Sequence, residues 1–529
     1  MWKKTEKNGA NPFSFYIYFQ KKGGDAVWQF LDRVLFDFGL PVLLLGVGLV
    51  YLFALRAFPY LHPYKTARLA FKGRGRSSLR ALSVALGGTL GVGNITGVAL
   101  AISLGGAGAV FWMWVSAAVA MFLKYGEIVL ALLTRRRGTD GSWEGGAMYY
   151  LRGKGGALGR FVAALFALLC LLCALTLGAP VQSNAAAMAA EEVLGISPLF
   201  VGLLLLFLTA IAVFGGIRKI AAFTERVVPL VSAIYLFLSL YATLTHLSSL
   251  GGVLSRIFHD AFTVKAGASG TLGFFSSRAL RYGVTRGLLS NEAGAGTAPM
   301  AHAVADNTPA SQGVFGMIEV AVDTFVFCTA TAVPLLLAYP ETFPHVSGTA
   351  LVTDAFSALV GPIAPYLLCI SLFLFAYATV LAWCYYGKRA IGYLTKNPMA
   401  HQVYLYVYIF AVGLGCFPIE GLLWEVTDAV ISLLTILHTA CLLPLLFPVL
   451  RESKREGFVG NGVLLGGRGE RTRRKRGEKI LVGRRVHGDG LAALRMEKGK
   501  TRGVEHGAVK AVTLPPVKSV AAQRMSDDG

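Results

Sequence analysis

Two glycine-rich apolar segments carry polar residues that could bind a small charged molecule. The segment around Gly91, Gly93 and Asn94 reads GVGNITG, and the segment around Gly287 and Ser290 reads RGLLSNEAGAGTAP. Glycine costs about 1 kcal/mol in a helix interior, so such clusters favour interrupted helices. At an interruption, the unwound backbone exposes carbonyl oxygens that can bind a cation and N–H groups that can bind a carboxylate.

Long apolar runs place these segments in a polytopic α-helical membrane protein. The chain of 529 residues is 55% hydrophobic and only 15% charged, whereas soluble domains carry about 25% charged residues. A spanning helix needs about 20 apolar residues. We predict eleven such spans, at about 37–58, 81–104, 108–134, 159–190, 197–215, 221–245, 272–300, 312–338, 359–386, 398–417 and 421–449.

Close helix packing is the alternative explanation for the glycines, because small residues let two helices approach each other. It is the weaker explanation for the seventh span, where Arg286, Ser290, Asn291 and Glu292 bring polar groups to membrane depth. Polar groups at that depth are expected to line a cavity. A small zwitterion and a monovalent cation suit such a site, which needs no titrating residue.

The positions of the two glycine-rich spans predict the architecture. With the first span set aside, the other ten form two sets of five, at about 81–245 and 272–449. Each set begins with one of the interrupted helices. Paired interruptions at matching places predict an inverted repeat with a binding site at the interruptions, as found in secondary transporters.

Basic residues predict the orientation in the membrane. Clusters at 56–80, 135–160, 218–219 and 388–396 and the basic C-terminal region fall on one side if all eleven helices cross. The positive-inside rule makes that side cytoplasmic and puts the N-terminus outside. The membrane is expected to be a bacterial-type plasma membrane. Lysines before the first span oppose this orientation for the first helix: Lys3, Lys4, Lys7, Lys21 and Lys22.

Composition divides the chain into an N-terminal segment (1–36), a transporter domain (37–450) and a tail (451–529). The tail has 19 Lys and Arg against 9 Asp and Glu, with almost no aromatic residues. This composition predicts disorder. We interpret the tail as a solvated segment attracted to anionic lipid rather than as a nucleic-acid binding region. Removal of the chain beyond about residue 452 is therefore expected to leave transport intact.

The ionisable residues within the spans are first interpreted as structural. Lys124 and Glu127 are expected to form a helix-surface pair or to snorkel. Glu292 is expected to pair with Arg286 or to cap the interrupted helix, with a role as a coupling carboxylate left open. Two further sets of acidic residues are Glu319 with Asp323 and Glu425 with Asp428. We expect them to make structural pairs, and a proton relay is the alternative.

Longer stretches of the sequence resemble the alanine/glycine:cation symporter family. They are GVGNITGVALAISLGGAGAVFWMWVSA from Gly91, GGAMYYL from Gly145, VQSNA from Val181, RGLLSNEAGAGTAPMAHA from Arg286 and FAYATVLAWCYYGKR from Phe375. The resemblance runs from about residue 37 to 450. It implies sodium-coupled uptake of alanine or glycine by a five-plus-five inverted repeat of the amino acid/neurotransmitter:sodium symporter type, with an extra N-terminal helix.

The resemblance also implies where the substrate and the cation bind. The implied substrate contacts are Gly91, Gly93, Asn94, Gln182, Gly287, Ser290, Asn291 and Trp383. A cation site is implied between the first interruption and the ninth span, near Thr89, Val92 and Thr379. No cofactor beyond the coupling Na⁺ is expected. We further expect a functional monomer in the lipid bilayer, without a nucleic-acid partner.

Two departures from the family pattern leave the coupling ion open. The family usually has Thr at the position of Val92 and Ser at the position of Ala378, so two hydroxyl groups near the expected cation are missing. Backbone carbonyls could complete the coordination shell. A proton-coupled amino acid transporter is the alternative function, and a channel is less favoured. The HExxH motif of a metalloprotease does not occur in the sequence, and no enzymatic activity is expected.

Overall fold

A computed structural model describes residues 39–71, 75–138, 141–153, 155–214, 217–263, 278–344, 348–417 and 420–458. These residues are largely helical, as predicted. The predicted N-terminal segment and all but the first residues of the predicted tail lie outside the described residues.

The first part of the described chain, up to residue 263, contains twelve α-helices and one two-stranded ladder. They are α1 (Leu40–Ala54), α2 (Phe58–Leu61), α3 (Pro63–Phe71), α4 (Gly75–Thr89), α5 (Val98–Gly105), α6 (Gly108–Thr134), β1 (Arg136–Arg137), β2 (Trp143–Glu144), α7 (Ala147–Arg152), α8 (Gly156–Leu175), α9 (Gln182–Leu194), α10 (Pro198–Phe214), α11 (Ile217–Thr245) and α12 (Leu247–Phe262). The strands β1 and β2 pair antiparallel in the basic loop after α6.

The second part of the described chain contains nine further α-helices. They are α13 (Arg278–Asn291), α14 (Ala298–His302), α15 (Pro309–Val320), α16 (Thr329–Ala338), α17 (Gly348–Val360), α18 (Ala364–Leu394), α19 (Pro398–Leu414), α20 (Glu420–Leu442) and α21 (Leu446–Arg455). Three π-helical segments join or begin helices, at Gly93–Gly97 before α5, Leu177–Val181 before α9 and Ala321–Cys328 before α16.

Six helices among the described residues are long and apolar enough to cross a membrane, or seven if one bent pair is counted as a span. The six are Gly108–Thr134, Gly156–Leu194, Ala222–Thr245, Pro309–Ala338, Ala364–Leu394 and Val426–Arg455. Shorter apolar helices of 10–17 residues are Leu40–Ala54, Pro198–Phe214, Gly348–Val360 and Pro398–Leu414. The predicted number of eleven crossings and the inverted repeat therefore stay predictions.

The interruption predicted in the second span is confirmed by a bend. The segments Ser77–Thr89 and Gly93–Gly105 meet at 55°. Gly91 lies at the bend, between α4 and the π-helical turn that leads into α5. The glycine-rich sequence therefore breaks the helix rather than only bringing two helices together.

The seventh span is interrupted as predicted, but after Asn291 rather than around Gly287 to Asn291. Helix α13 ends at Asn291, and α14 begins at Ala298. Between them, Glu292, Gly294 and Gly296 have φ angles of +51°, +88° and +75°. Glycine occupies this left-handed region without a steric penalty, which explains two of the three residues. We call residues 292–297 the second break and the bend at 90–92 the first break.

Helix α6 lies at the centre of the described bundle, and its neighbours approach it through small residues. A Cβ on Gly283 of α13 would lie 2.5 Å from the Ala109 carbonyl oxygen, and a Cβ on Gly316 of α15 would lie 2.1 Å from Ile128 Cδ1. Helices within a membrane associate through such close packing, since lipid gives no hydrophobic drive between them. α6 is thereby fixed against α13, which precedes the second break, and against α15, which follows α14.

Helix α12 lies between the sixth and seventh predicted spans, where the sequence predicted no span, and it is an amphipathic helix. Its buried residues Val253, Ile257 and Ala261 recur at every fourth position. The Trp112 indole N–H donates to the Ala261 carbonyl at 3.1 Å, which ties α12 to the start of α6. The segment lacks the continuous apolar run of a predicted span. Its buried apolar residues are instead spaced four apart, along one face of the helix.

The described structure continues beyond the predicted domain boundary at residue 450. The Ser453 and Tyr125 hydroxyls lie 2.7 Å apart, which joins α21 to α6. The Glu456 carboxylate accepts hydrogen bonds from the Thr308 hydroxyl and from the Ala310 amide. The Phe458 ring packs edge-on against Phe58 at 5.7 Å between ring centroids. These contacts lie in the segment whose removal was expected to be harmless.

We therefore predict that two truncations behave differently. A chain ending at Phe458 keeps the contacts of Ser453, Glu456 and Phe458 described above and should match the full chain in uptake and in its midpoint of thermal unfolding, Tm. A chain ending at Arg451 leaves the buried Tyr125 hydroxyl without its partner, at a cost of about 1–3 kcal/mol. Its Tm in detergent should fall by about 5 °C. Equal Tm values for the two truncations would contradict a structural role for residues 452–458.

Candidate functional site

A cavity lies between the two breaks and has about 400 Å³ of empty space, including space open to solvent. It is lined by Gly88, Thr89, Gly91, Gly93, Gly97, Leu177, Gln182, Arg286, Leu289, Glu292, Thr379, Trp383 and Trp424. Six residues predicted as substrate or cation ligands are among them: Gly91, Gly93, Gln182, Trp383, Thr89 and Thr379. The structure thus brings together residues that are far apart in the sequence.

The first break is stabilised by two buried amide side chains. The Gly91 amide donates to Asn94 Oδ1 at 3.1 Å, and the Val92 amide donates to Gln182 Oε1 at 3.4 Å. Gln182 follows the π-helical segment Leu177–Val181, and its Nε2 donates back to the Leu177 carbonyl at 3.2 Å. Gln182 is therefore fixed by its own helix while its oxygen faces the unwound backbone.

Gly91 occupies a position without room for a side chain. A Cβ there would lie 2.6 Å from Thr379 Oγ1 and 3.0 Å from Gln182 Oε1. Real Cβ atoms essentially never come closer than 3.0 Å to a neighbouring atom. The first break, α9 and α18 thus converge at one point, and the glycine permits that approach.

The residues predicted to bind a cation provide oxygen atoms on two helices. The Thr379 hydroxyl of α18 donates to the Phe375 carbonyl at 3.0 Å and lies 3.4 Å from the Leu90 carbonyl of the first break. The Thr89 hydroxyl lies 3.4 Å from the Ala85 carbonyl of its own helix. Val92 is fully buried and contributes only its backbone groups as polar atoms.

Asn94, Ser290 and Asn291 do not line the cavity. Asn94 Nδ2 donates at 2.8 Å to both Ser290 Oγ and Asp323 Oδ1. The Ser290 hydroxyl donates to Asp323 Oδ2 at 2.7 Å, and Asn291 Nδ2 donates to the Thr324 hydroxyl at 3.1 Å. These side chains connect both breaks to the π-helical segment Ala321–Cys328.

Gly287 also lies away from the cavity lining. A Cβ there would come within 3.0 Å of Ser116 Oγ on α6. Close packing against α6 explains this glycine, which is the alternative that the sequence left open for the glycine clusters. A large residue at 287 is expected to disturb helix packing rather than to fill the space of the substrate.

The predicted ion pair between Glu292 and Arg286 is wrong. Arg286 instead makes a two-pronged contact with Asp428, at 2.8 and 3.2 Å, and lies 5.6 Å from the centroid of the Trp424 ring. Glu292 Oε1 accepts from the Trp383 indole N–H at 3.1 Å. Arg286 lies within α13 and Glu292 directly after it, and each has its partner on another helix, α20 and α18 respectively.

Lys124 is fully buried, so the expected helix-surface pair with Glu127 is also wrong. The Lys124 ammonium lies 3.2 Å from Glu319 Oε1. Glu319 Oε2 accepts from His302 Nε2 at 3.1 Å, since His302 Nδ1 already accepts from Gln312 Nε2 at 2.7 Å. Glu319 is therefore a carboxylate held between a lysine and a neutral histidine.

Glu127 contacts the second break instead of the protein surface. Its Oε1 accepts from the Gly294 amide at 2.6 Å. His438 Nδ1 donates to the Gly294 carbonyl at 2.7 Å, while the Tyr150 hydroxyl donates to His438 Nε2 at 2.6 Å. The two polar groups of Gly294 are therefore both satisfied by side chains from other helices.

The model of the sodium:alanine symporter family matches residues 22–455. The chain belongs to the sodium:alanine symporter family. It is therefore a multi-pass membrane transporter of a family of sodium-coupled amino acid symporters.

Named relatives within this family match over most of their length. The sodium/alanine symporter AgcS of Methanococcus maripaludis is 36% identical over 431 residues, which are 78% of this chain and 93% of that protein. The probable sodium/glutamine symporter GlnT of Bacillus subtilis is 33% identical over 431 residues, covering 80% and 89%. A solved Na⁺-coupled sialic acid symporter aligns with a TM-score of 0.49 at 16% identity, covering 77% of this chain and 87% of that one.

The sequence did not indicate that several polar residues lie around the site. Asp323 joins Asn94 and Ser290, and Glu127 and His438 satisfy the second break. Each is a polar residue within an apolar span, and such residues normally face a protein interior. That signal was present in the sequence, but it does not indicate which helix supplies the partner.

We predict that loss of Lys124 strongly destabilises the protein. Lys124→Met leaves Glu319 as a buried carboxylate without its cation, and breaking a buried pair costs about 3–5 kcal/mol. The added change Glu319→Gln should recover part of that loss, because it removes the uncompensated charge. Thermal unfolding in detergent measures both effects.

Lys388→Met is the matched control, since Lys388 is exposed at the end of α18. A Lys124→Met protein as stable as this control would contradict the importance of the buried pair. A double variant less stable than Lys124→Met alone would do the same.

Proposed function

We propose that the protein carries alanine or glycine into the cell together with Na⁺ by alternating access. The observation that carries this proposal is the cavity between the two breaks, which combines unwound backbone with Gln182 and Trp383. The family relationship supports sodium coupling, and the AgcS and GlnT relatives bear names that specify alanine and glutamine respectively.

The first break and Gln182 are suited to the two charged groups of an amino acid. The backbone at Gly93 lies at the start of the second half of the broken helix, where the helix dipole favours a carboxylate. Gln182 Oε1 receives one long hydrogen bond of 3.4 Å from Val92. Its remaining lone pair is available for the substrate ammonium.

Trp383 is proposed to limit the size of the substrate. Its ring is fully buried and lines the cavity together with the glycines at positions 88, 91, 93 and 97. A large ring in a lining rich in glycine is proposed to leave room for a methyl group or a hydrogen atom, which suits alanine and glycine.

The cation is proposed to lie between the first break and α18. The Thr379 hydroxyl, the Thr89 hydroxyl and the Leu90 carbonyl provide oxygen atoms in this region. The hydroxyls lost at Val92 and Ala378 are then replaced by backbone oxygens. A cation there would contact both the broken helix and α18, so its binding would favour one arrangement of the two.

The orientation and architecture of the transporter also belong to this proposal. We propose eleven crossings with the five-plus-five inverted repeat, a cytoplasmic C-terminus and an external N-terminus. The protein is proposed to act as a monomer in a bacterial-type plasma membrane. The alternation of basic loops along the chain supports this orientation.

We predict that purified protein in liposomes accumulates labelled alanine or glycine against its gradient only when Na⁺ is higher outside. Replacing external Na⁺ with choline should abolish accumulation, because the coupling ion is then absent. Liposomes without protein provide the background. Equilibration without accumulation would indicate a channel, and accumulation driven by a proton gradient in the absence of Na⁺ would indicate the proton-coupled alternative.

We predict that Gly91→Ala lowers kcat/KM for the substrate by about tenfold or more, equivalent to about 1.4 kcal/mol. The added methyl group would collide with Thr379 Oγ1 and Gln182 Oε1, and both atoms belong to the proposed site. Gly46→Ala on α1 is the matched control, since a Cβ there meets no atom within 4 Å. Equal transport by both variants would exclude the first break from the site.

A further inference from the structure

Trp383 is held in the cavity wall by packing and by one hydrogen bond. A Cβ on Gly178 would lie 2.3 Å from Trp383 Cβ and 2.6 Å from Cγ, so the Gly178 backbone of the π-helical segment packs directly against the Trp383 side chain. Tyr386 presents its ring edge at 5.6 Å between centroids. The indole N–H donates to Glu292 Oε1. Packing thus fixes the base of the side chain, and Glu292 fixes the outer end of the ring.

Glu292 also connects the two ends of the second break. Its amide donates to the Leu288 carbonyl at 2.8 Å and completes the last turn of α13. Its Oε2 accepts from the Thr297 hydroxyl at 2.6 Å, immediately before α14 begins. Its own backbone is left-handed, with φ +51°. A non-glycine residue in this conformation costs energy and persists only where its surroundings hold it.

Glu292 therefore joins three elements: its backbone amide closes the end of α13, and its two carboxylate oxygens contact Thr297 at the start of α14 and the ring of Trp383. Both Glu292 and Trp383 line the cavity, and both are buried. Any rearrangement of the second break moves the acceptor for the indole N–H. The ring must follow, because a buried N–H without an acceptor is costly.

We propose that Glu292 is the positioning residue that sets the size limit for the transported amino acid, by holding the Trp383 ring against the cavity. This inference rests on the proposed function, since it takes the cavity as the substrate site. Glu292 acts through Trp383, and the width of the space for the substrate side chain depends on that hydrogen bond. The sequence left a functional role of Glu292 open, and this proposal gives the residue a role in substrate selectivity.

The test compares uptake of alanine and leucine in liposomes by wild-type protein and by two variants of Glu292. Glu292→Met has a similar shape but offers the indole N–H only a weakly accepting sulfur, whereas Glu292→Gln retains an acceptor oxygen. Pocket contacts of about one methylene change discrimination by roughly 10–200-fold. We expect Glu292→Met to raise the ratio of kcat/KM for leucine over alanine by about tenfold. Most of that change should come from a higher KM for alanine, and Glu292→Gln should restore the wild-type ratio.

A double-variant cycle with Trp383→Phe tests whether Glu292 acts through the indole. Trp383→Phe retains an aromatic ring and removes the N–H, so it should raise the ratio by itself. Glu292→Met added to Trp383→Phe should then change the ratio by less than about twofold, because coupled residues are not additive. If the two single-variant changes in the ratio multiply in the double variant, the two residues act independently and the proposal is overturned. If Glu292→Met fails to insert, an unchanged ratio in Trp383→Phe overturns it equally.

Thr297→Val is the matched control within the second break. It removes the donor to Glu292 Oε2 and leaves the bond between Oε1 and the indole intact. The ratio of kcat/KM for leucine over alanine in Thr297→Val should stay at the wild-type value. A tenfold change in this ratio would show that closure of the second break, rather than the bond between Glu292 and the indole, sets selectivity. Wild-type protein that accumulates no alanine contradicts the proposed function. Wild-type accumulation with an unchanged ratio in Glu292→Met contradicts only this inference.

Discussion

Backbone polar groups inside a bilayer need partners within the protein, because lipid offers none. The two breaks leave such groups without helical partners, and buried side chains replace them. Asn94 accepts from the Gly91 amide, and Glu127 accepts from the Gly294 amide. His438 donates to the Gly294 carbonyl. The unwound backbone thus persists at membrane depth because polar residues from neighbouring helices satisfy it.

The buried charges follow from the same requirement. A carboxylate is an effective acceptor for a stranded amide, but it brings a charge that is expensive to bury. Lys124 offsets that charge near α6, where its ammonium contacts Glu319 and interacts electrostatically with Glu127 and Glu292. Stability and function are therefore linked in this protein. The carboxylates that bind the unwound backbone are also the groups whose buried charge must be compensated.

The sequence predicted the helical class, both interruptions and six residues that line the cavity. Glycine clusters and polar residues in apolar spans carry this information locally. It did not predict the partners of the charged residues. Arg286 pairs with Asp428 and Lys124 with Glu319, across 142 and 195 positions of the chain respectively. Contacts of that range depend on how helices rotate and stack, which local spacing does not determine. Helix α12 was missed because its apolar residues recur every fourth position without forming a continuous run.

The three π-helical segments have a consequence for how this fold tolerates change. Each lies beside polar residues of the site, with Asn94 in the first, Gln182 directly after the second and Asp323 in the third. A π-turn contains about one residue more than an α-turn, and each residue of an α-helix advances by about 100°. The extra residue thereby sets the angular phase of everything that follows it. Loss of a single codon within 177–181 would rotate α9 and carry Gln182 out of the cavity, although no residue of the site had been substituted. Insertions and deletions in these short stretches are therefore more damaging than the modest chemistry of their side chains would indicate.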